Sequence, residues 1–296
     1  MIDYVSLCSV GAPTDRELLG IRTLAPARYS AEPMTLRALL FDLDGTLADT
    51  ERLGHRPAYN RAFKKLGLSF RWGPKLYRKL LKQPGGQERL LHYLKSYQPE
   101  LGEHQAAAAA DPQGWTRSVH DLKSRYFRRL VRRGRVPLRP GVARLMQEAR
   151  SAGLRLAIVT SASRATLKPI LRHSLGAALM QEIELLVCGE DVEHKKPAPD
   201  LYHLALARMD LAPRECVAIE DSAMGLAAAT AAGVPTVVTP NANTLHESFD
   251  QALLVLDTLG EPGAPATVLQ GSLDGGHVTI DGLRRLLGAV APLRAA

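Results

Sequence analysis

Hydrophobic and polar positions follow two different rhythms along the chain, and the first gives way to the second near Pro140. Residues 37–41 (RALLF) form a short apolar run ahead of a polar loop, which is typical of a buried parallel strand. From about residue 50 to 138 the apolar positions instead recur with helical spacing. Helices are predicted over residues 55–66, 74–82, 87–97 and 115–133.

After Pro140 the pattern alternates between helices and short apolar runs. Strands are predicted over residues 154–160, 184–188, 216–220 and 236–239. Helices are predicted over residues 142–152, 164–173, 198–208 and 222–232. Alternation at these lengths predicts an α/β fold with a doubly wound parallel sheet. Because the helical block follows the first strand directly, we expect it to form an inserted, all-helical cap.

These patterns predict the organisation of the whole chain. The first residues show no clear periodicity, and Met34 stands just before the first strand. We expect a disordered extension over 1–34, a sheet domain formed by 35–49 and 139–260, a helical cap over 50–138 and a C-terminal tail over 261–296. One short helix is predicted in the tail, near residues 280–288.

The composition, with 46% hydrophobic and 23% charged residues, is ordinary for a soluble globular protein. No apolar run approaches the ~20 residues of a bilayer span, so no membrane partner is expected. Cys8, Cys188 and Cys216 are far apart, which indicates neither a disulfide framework nor a zinc site. The cysteine pattern indicates a reducing compartment, and the protein is expected to be cytoplasmic and a monomer. The arginines in the first 28 residues leave open a plastid transit peptide.

Positive charge is concentrated in one part of the chain. Residues 51–139 contain 21 Lys and Arg against six Asp and Glu, a net charge of +15 within a total of +8. The remaining residues therefore carry −7. This segment is either a solvated helical surface or a surface that attracts a polyanion, such as a bisphosphate or nucleic acid.

Polar side chains follow the predicted strands. In open α/β sheets the ligand site lies beyond the carboxyl ends of the strands. The residues expected there are Asp42 and Asp44 after the first strand, Thr160 and Ser161 after the second, Lys196 beyond the third, and Glu220 and Asp221 after the fourth. Clustered carboxylates repel one another unless a cation neutralises them, and hard oxygen ligands favour Mg²⁺. With a lysine and hydroxyls beside the metal, the set indicates phosphoryl transfer.

Four segments resemble the signature motifs of the haloacid dehalogenase superfamily. They are FDLDGTLADT (Phe41–Thr50), VTSAS (Val159–Ser163), KKPAPD (Lys195–Asp200) and IEDSAMG (Ile219–Gly225). Their order and structural context are those of the superfamily, and together they span roughly residues 36–240. The resemblance implies a Rossmann-like core, and the inserted block is similar to the helical cap of the β-phosphoglucomutase-like branch.

The resemblance also implies a role for each residue of the site. Asp42 would attack phosphorus and form an aspartyl-phosphate. Asp44 would protonate the leaving oxygen and later activate water. Lys196 would brace the nucleophile and the phosphate. Ser161 or Thr160 would bind a phosphate oxygen, with Ser161 the favoured residue.

The implied metal is magnesium. Asp42, the carbonyl of Asp44 and Asp221 would hold it, with Glu220 in support. Dehalogenases of the superfamily lack the second aspartate and the metal. The presence of Asp44 and Asp221 therefore favours phosphate chemistry.

A finer resemblance is to the CbbY proteins. It is carried by Ala48–Phe63, Phe70–Leu90 and Leu256–Gly263. That group includes phosphatases that remove the 1-phosphate of xylulose-1,5-bisphosphate. This compound is a misfire product that inhibits Rubisco. A basic cap suits such a substrate, because the second phosphate must be bound away from the metal.

The cap supplies the candidate substrate ligands. Those implied or considered are Glu51, Arg56, Gly86, Gln87, Arg89 and Arg139. The CbbY group usually has a lysine in a GGKER stretch, whereas this chain has Gln87, and the exact sugar therefore stays open. Glu51 is equally readable as a helix first-turn carboxylate that the helix dipole favours.

Two other functions are consistent with parts of the sequence. A sugar phosphomutase would use the same aspartates but return the phosphate to sugar, and the difference lies in cap closure and water exclusion. A nucleic-acid-binding protein would use the basic cap, but the sequence has no helix-turn-helix, RNP or zinc signature. The function expected is a magnesium-dependent phosphatase for a small phosphorylated sugar.

Overall fold

The structure is a computed structural model, and it describes residues 35–83 and 85–289. Within these ranges seven strands form one sheet, in the order β3-β2-β1-β4-β5-β6-β7. The strands are β1 (Ala38–Phe41), β2 (Arg155–Val159), β3 (Ile183–Val187), β4 (Cys216–Glu220), β5 (Thr236–Val238), β6 (Leu254–Leu256) and β7 (Val268–Gln270). All neighbours pair in parallel except β6 and β7, which are antiparallel. The predicted extension, 1–34, lies outside the described residues.

The α-helices of the described ranges are α1 (Arg56–Lys65), α2 (Pro74–Leu80), α3 (Gly86–Tyr97), α4 (Gln105–Ala110), α5 (Pro112–Arg132), α6 (Val142–Ser151), α7 (Arg164–Ile170), α8 (Ala177–Gln181), α9 (Asp200–Met209), α10 (Ala223–Ala231) and α11 (Ile280–Ala289). Two π-helical turns, Glu51–His55 and Leu171–Leu175, precede α1 and continue α7. Within the described ranges no helix has both the length and the apolar composition of a membrane span.

The sheet is buried on both faces, which explains the continuous apolar runs of its strands. Successive residues of a strand point to opposite faces. In β1, Leu39 and Phe41 join the larger hydrophobic cluster, which also contains residues of α6, α7 and α11. Ala38 and Leu40 join the cluster on the other face, together with residues of α9 and α10. The order and the parallel pairing confirm the predicted α/β fold.

Helices α1–α5, which lie between β1 and α6, have a hydrophobic core of their own that contains a cluster of aromatic side chains. Trp72 lies at its centre, with ring centroids 4.5 Å from Tyr59, 5.0 Å from Phe63 and 5.2 Å from Tyr93. Aromatic side chains bury large areas, so this small helical unit obtains its own core from few residues. The predicted all-helical cap is confirmed.

The inserted helices leave and rejoin the sheet region at neighbouring points. Ala48 and Leu138 form an antiparallel bridge, and the Arg139 amide donates to the Leu47 carbonyl at 2.8 Å. The two connecting segments therefore lie side by side, at the carboxyl end of β1.

Residues 261–289, part of the expected tail, contain a strand and a helix. Val268–Gln270 extends the sheet as β7, and α11 buries Leu283 and Leu287 in the main core. Residues 261–289 thus continue the sheet domain. Neither β6 nor β7 is predicted by the sequence pattern.

Candidate active site

Parallel pairing brings the ends of three strands to one edge of the sheet. Phe41, the last residue of β1, is in register with Ile158 of β2 and Ile219 of β4. The residues after these positions therefore meet, and the Asp42 amide donates to the Ile219 carbonyl at 3.0 Å. The motifs that are far apart in sequence thus form one site.

Lys196 joins two of the carboxylates at this edge. Its Nζ atom lies 2.7 Å from Asp42 Oδ1, 2.6 Å from Glu220 Oε1 and 2.8 Å from the Val159 carbonyl oxygen. Burial lowers the pKa of Lys196, but Asp42 and Glu220 outweigh that effect and raise it above its ordinary value. Lys196 is therefore charged, and the hydroxyl of Tyr202 adds a donor to Glu220 at 2.6 Å.

Three buried carboxylates form an acidic cluster. Asp42, Glu220 and Asp221 each offer an oxygen, and these atoms lie within 4.8 Å of one another. Burial, and then the charges of Asp42 and Glu220, raise the pKa of Asp221 well above its ordinary value. Burial likewise raises the pKa of Glu220, to about 7. One lysine does not balance three carboxylates, and the all-oxygen donor set fits a hard divalent cation.

Asp44 lies on the loop after Asp42 and faces the inserted helices. Its Oδ1 atom accepts a hydrogen bond from Thr50 Oγ1 at 2.5 Å and lies 3.8 Å from His55 Nε2. Burial is the main cause that raises the pKa of Asp44 above its ordinary value. Burial also lowers the pKa of His55 well below its ordinary value, so this imidazole is neutral near pH 7. Burial thus favours the protonated form of Asp44 more than solvent would.

Gly45 is the residue that lets this loop approach the acidic cluster. Its φ is +99°, which favours glycine, and a Cβ atom here would lie 2.2 Å from Asp221 Oδ2. The same Cβ atom would lie 2.7 Å from Asn241 Nδ2, which donates to Asp221 Oδ2 at 2.6 Å. The glycine of the DxDGT motif is therefore required by both conformation and space.

The two predicted hydroxyls have different surroundings. Thr160 Oγ1 accepts a hydrogen bond from the Ala162 amide at 3.0 Å. Ser161 Oγ is buried and has no hydrogen-bond partner within the described residues. A buried hydroxyl without a partner can donate to a ligand, and this favours Ser161 as the phosphate contact.

Glu51, Tyr77 and Arg89 form a buried network within the inserted helices. The Tyr77 hydroxyl donates to Glu51, and Arg89 Nη1 lies 3.3 Å from the Tyr77 oxygen and 3.7 Å from Glu51 Oε1. Arg89 Nε also donates to the Leu80 carbonyl at 3.3 Å. The charge of Arg89 is thus largely compensated by Glu51, while Nη2 makes no hydrogen bond within the described residues.

Gly86 and Gln87 begin α3 and contact the neighbouring helices. The Gly86 carbonyl accepts from the Tyr59 hydroxyl at 2.7 Å, and a Cβ atom at Gly86 would lie 2.5 Å from His120 Nε2. Gln87 Nε2 donates to the Gln113 carbonyl at 3.1 Å. Gln87 therefore connects α3 to α5, and its amide group is directed to the protein itself.

Arg139 lies beside the acidic cluster, but its guanidinium is hydrogen-bonded to the protein itself. Arg139 donates to four main-chain carbonyls, those of Gly45, Thr239, Pro240 and Asp257. It therefore fixes the loops around the acidic cluster. Arg56 is half-buried at the start of α1, where its amide donates to the Glu51 carbonyl, and its side chain has no hydrogen bond or ion pair within the described residues.

Lys123 is a buried cation of α5. Its Nζ atom lies 4.9 Å from the ring centroid of Tyr59 and 5.7 Å from that of Phe127. Burial lowers the pKa of Lys123 to about 8, while the charges of Glu51 and Asp44 oppose that effect. No carboxylate pairs with it among the described residues, so its charge faces the space near Asp44 and Glu51.

Known proteins resemble this chain over most of its length. The sequence model of the haloacid dehalogenase-like hydrolases matches residues 36–233. The chain belongs to the haloacid dehalogenase-like hydrolases. It is 45% identical over 230 residues to the plasmid CbbY protein of Cupriavidus necator, covering 78% of this chain and 88% of that protein. The family and the CbbY group predicted from the motifs are confirmed.

Two solved structures support the same assignment. The crystal structure of CbbY from Rhodobacter sphaeroides in complex with phosphate has a TM-score of 0.66 at 38% identity, over 76% of this chain and 95% of that chain. A mutant of that protein in complex with xylulose-1,5-bisphosphate has a TM-score of 0.67 at 37% identity, over 77% and 97%. The chain is thus an enzyme, a phosphatase of this hydrolase family.

Sequence reasoning overlooks Lys123, although the sequence contains a signal for it. Val119 and Phe127, four residues before and after it, are buried, so Lys123 occupies a core position of the helix. A lysine on the apolar stripe of a helix is rarely buried without a reason. Lys123 and Arg89 are thus two buried cations of the inserted helices.

Proposed function

We propose that this phosphatase is magnesium-dependent, acts through an aspartyl-phosphate on Asp42, and hydrolyses a small sugar bisphosphate such as xylulose-1,5-bisphosphate. The observation that carries the proposal is the contact of Lys196 with both Asp42 and Glu220, beside Asp221. Burial raises the pKa of Asp42 and Lys196 opposes that effect, so the lysine favours the ionised carboxylate that nucleophilic attack requires.

In the first step a carboxylate oxygen of Asp42 attacks phosphorus while the bond from phosphorus to the sugar oxygen breaks. Asp44 gives its proton to that leaving oxygen, and its raised pKa and its contact with Thr50 support this role. In the second step Asp44 takes a proton from water, whose oxygen attacks phosphorus. Inorganic phosphate leaves and the carboxylate of Asp42 is restored.

The groups around Asp42 bind the phosphate and balance its charge. Lys196 supplies a fixed positive charge, and Ser161 offers a buried donor without a partner. Magnesium would be held by Asp42, Asp221 and the carbonyl of Asp44, with Glu220 in support, and when bound it supplies positive charge against the phosphate oxygens. The donor set described above supports this choice of metal.

The inserted helices would bind the distal part of the sugar. Lys123 offers a charge that no carboxylate pairs with in the described ranges, and Arg89 offers its Nη2 group. Glu51, which already holds Tyr77 and Arg89, can accept a hydrogen bond from a sugar hydroxyl. Two cations near a carboxylate suit a ligand that carries both hydroxyls and a second phosphate. The ligand in the Rhodobacter sphaeroides protein has this chemistry.

The test is phosphate release from xylulose-1,5-bisphosphate with and without Mg²⁺, by the parent and by Asp42→Asn. We expect release by the parent with Mg²⁺, and none from the variant or in excess EDTA. Turnover by Asp42→Asn near the parent rate would remove Asp42 as nucleophile. A positional isomer formed without phosphate release would instead identify a phosphomutase, the activity named for a Thermotoga maritima neighbour of 26% identity.

A further inference from the structure

A second basic region lies outside the candidate active site. It lines a cleft of about 530 Å³ that has α5 on one side and α7 with the following π-helical turn on the other. The lining side chains that carry or can carry positive charge are Arg125, Arg128, Arg132, Lys168, Arg172 and His173. All six are exposed. We refer to this cleft as the α5/α7 groove.

The α5/α7 groove is separate from the side of α5 that faces the candidate active site. At about 100° per residue, Arg125, Arg128 and Arg132 lie roughly opposite Lys123 on the helix. Lys123 is buried, whereas these arginines are exposed. Part of the positive charge of the inserted segment is therefore directed away from the substrate.

The groove has no negative charge of its own. No Asp or Glu lines it, and among the described residues none of its arginines or its lysine forms an ion pair. This contrasts with Arg164, one helical turn before Lys168, whose guanidinium contacts Asp191 at 2.7 Å. The absence of carboxylates is thus a property of the groove and not of the whole surface.

The positive charges along each wall of the α5/α7 groove repel one another unless an anion balances them. Arg125 and Arg128 are three residues apart on α5, and Lys168 and Arg172 are four apart on the opposite wall. Like charges at these spacings destabilise a helix, and here two such rows face each other across one cleft. An anion bound between the rows would contact both and remove the repulsion.

We propose that the α5/α7 groove is a binding site for a small anion carrying two or more phosphate groups. The volume lies within the range of about 300–1,000 Å³ that is usual for small-molecule sites. Guanidinium groups on both walls can bind phosphate oxygens with paired donors. Because one wall belongs to the inserted helices and the other to the sheet domain, the anion would join the two.

Inorganic tripolyphosphate is the probe, titrated calorimetrically into the full chain in EDTA at about 150 mM salt. The groove variant is Arg128→Ala/Arg172→Ala. The matched control is Arg61→Ala/Arg117→Ala, which removes two exposed helical arginines outside the groove. Both variants lose the same charge, and thermal denaturation checks that each one folds.

We expect the groove variant to weaken the Kd for tripolyphosphate by about tenfold, since two charged contacts are lost, and the control to change it less than about twofold. Tighter binding of ATP than of tripolyphosphate, lost in the same variant, would support the proposal with a nucleotide as the ligand. Equal weakening in both variants, or no binding by the parent, would overturn it. A groove-dependent affinity for duplex DNA without one for tripolyphosphate would also overturn it.

Discussion

The Nζ atom of Lys196 lies 2.7 Å from Oδ1 of Asp42, and both side chains are buried. The same ammonium group contacts Glu220, so one cation holds two carboxylates in a region of low dielectric. Removing one partner from such a group leaves uncompensated charge, which costs far more than losing a surface ion pair. The stability and the chemistry of the site therefore depend on the same lysine.

Lys196→Met should lower the free energy of unfolding by about 3 kcal/mol and abolish turnover, because Asp42 and Glu220 lose their counter-charge. Chemical denaturation and phosphate release measure the two effects. Lys195→Met is the matched control, because Lys195 is exposed and adjacent, and it should change neither quantity appreciably. Parent-like turnover in Lys196→Met would remove Lys196 from the catalytic site.

Gly45→Ala should abolish activity, because the added Cβ atom would displace Asp221. The positive φ adds strain of about 1–3 kcal/mol. Gly67→Ala is the control, since Gly67 also has a positive φ of +69° but has open space around it. We expect both variants to be less stable in denaturation, with phosphatase activity lost only in Gly45→Ala. Similar activity in the two variants would show that the close approach of Gly45 to Asp221 has no catalytic importance.

The stability cost of Lys123 should depend on pH. Burial sets the pKa of Lys123 at about 8 in the folded protein, below the ordinary 10.5. Between these values the unfolded chain holds a proton that the folded chain does not, so stability rises with pH across the window. Lys123→Met should thus be more stable than the parent at pH 7, by at most about 3 kcal/mol. Denaturation at several pH values should show this difference shrinking from pH 8 to 10.5, whereas a constant difference would contradict the cause.

Lys123→Met should lower kcat/KM for xylulose-1,5-bisphosphate by about tenfold to a hundredfold, because a charged contact to the distal phosphate is lost. A monophosphate of the same sugar should be affected little. Arg89→Ala should lower kcat/KM for both substrates and destabilise the protein, since it leaves Glu51 and Tyr77 without their cation. Steady-state kinetics on both substrates separate the two residues. Equal losses for the two substrates in Lys123→Met would remove it as the distal ligand.

The sequence predicts the sheet, the cap and the convergence of the motifs because each depends on local patterns. Apolar runs define β1, β2 and β4, and the carboxyl ends of parallel strands meet whatever the length of the intervening chain. Strands β6 and β7 are missed for a physical reason. β6 pairs with β5 and β7 pairs with β6, so both strands depend on a neighbouring strand that lies elsewhere in the sequence.

The pattern of hydrophobic and charged positions does not predict the direction in which a side chain points. Arg139 and Arg56 carry the right charge in the right segment, yet Arg139 binds main-chain carbonyls of the core. The net charge of the inserted segment likewise contains no information about which face each cation takes. Only the register of Lys123 with Val119 and Phe127 distinguishes it from the solvated arginines of α5.

The antiparallel bridge between Ala48 and Leu138 has a consequence for how this enzyme can evolve. The chain leaves the sheet and returns to it at neighbouring points. The strands of the core can therefore pair whatever segment lies between these two points. Replacement or resizing of the intervening helices would leave Asp42, Lys196 and Asp221 on the strand ends and loops that hold them. The residues that break the phosphate bond lie in the sheet domain, and those that select the substrate lie in the inserted helices. The two sets can therefore change independently.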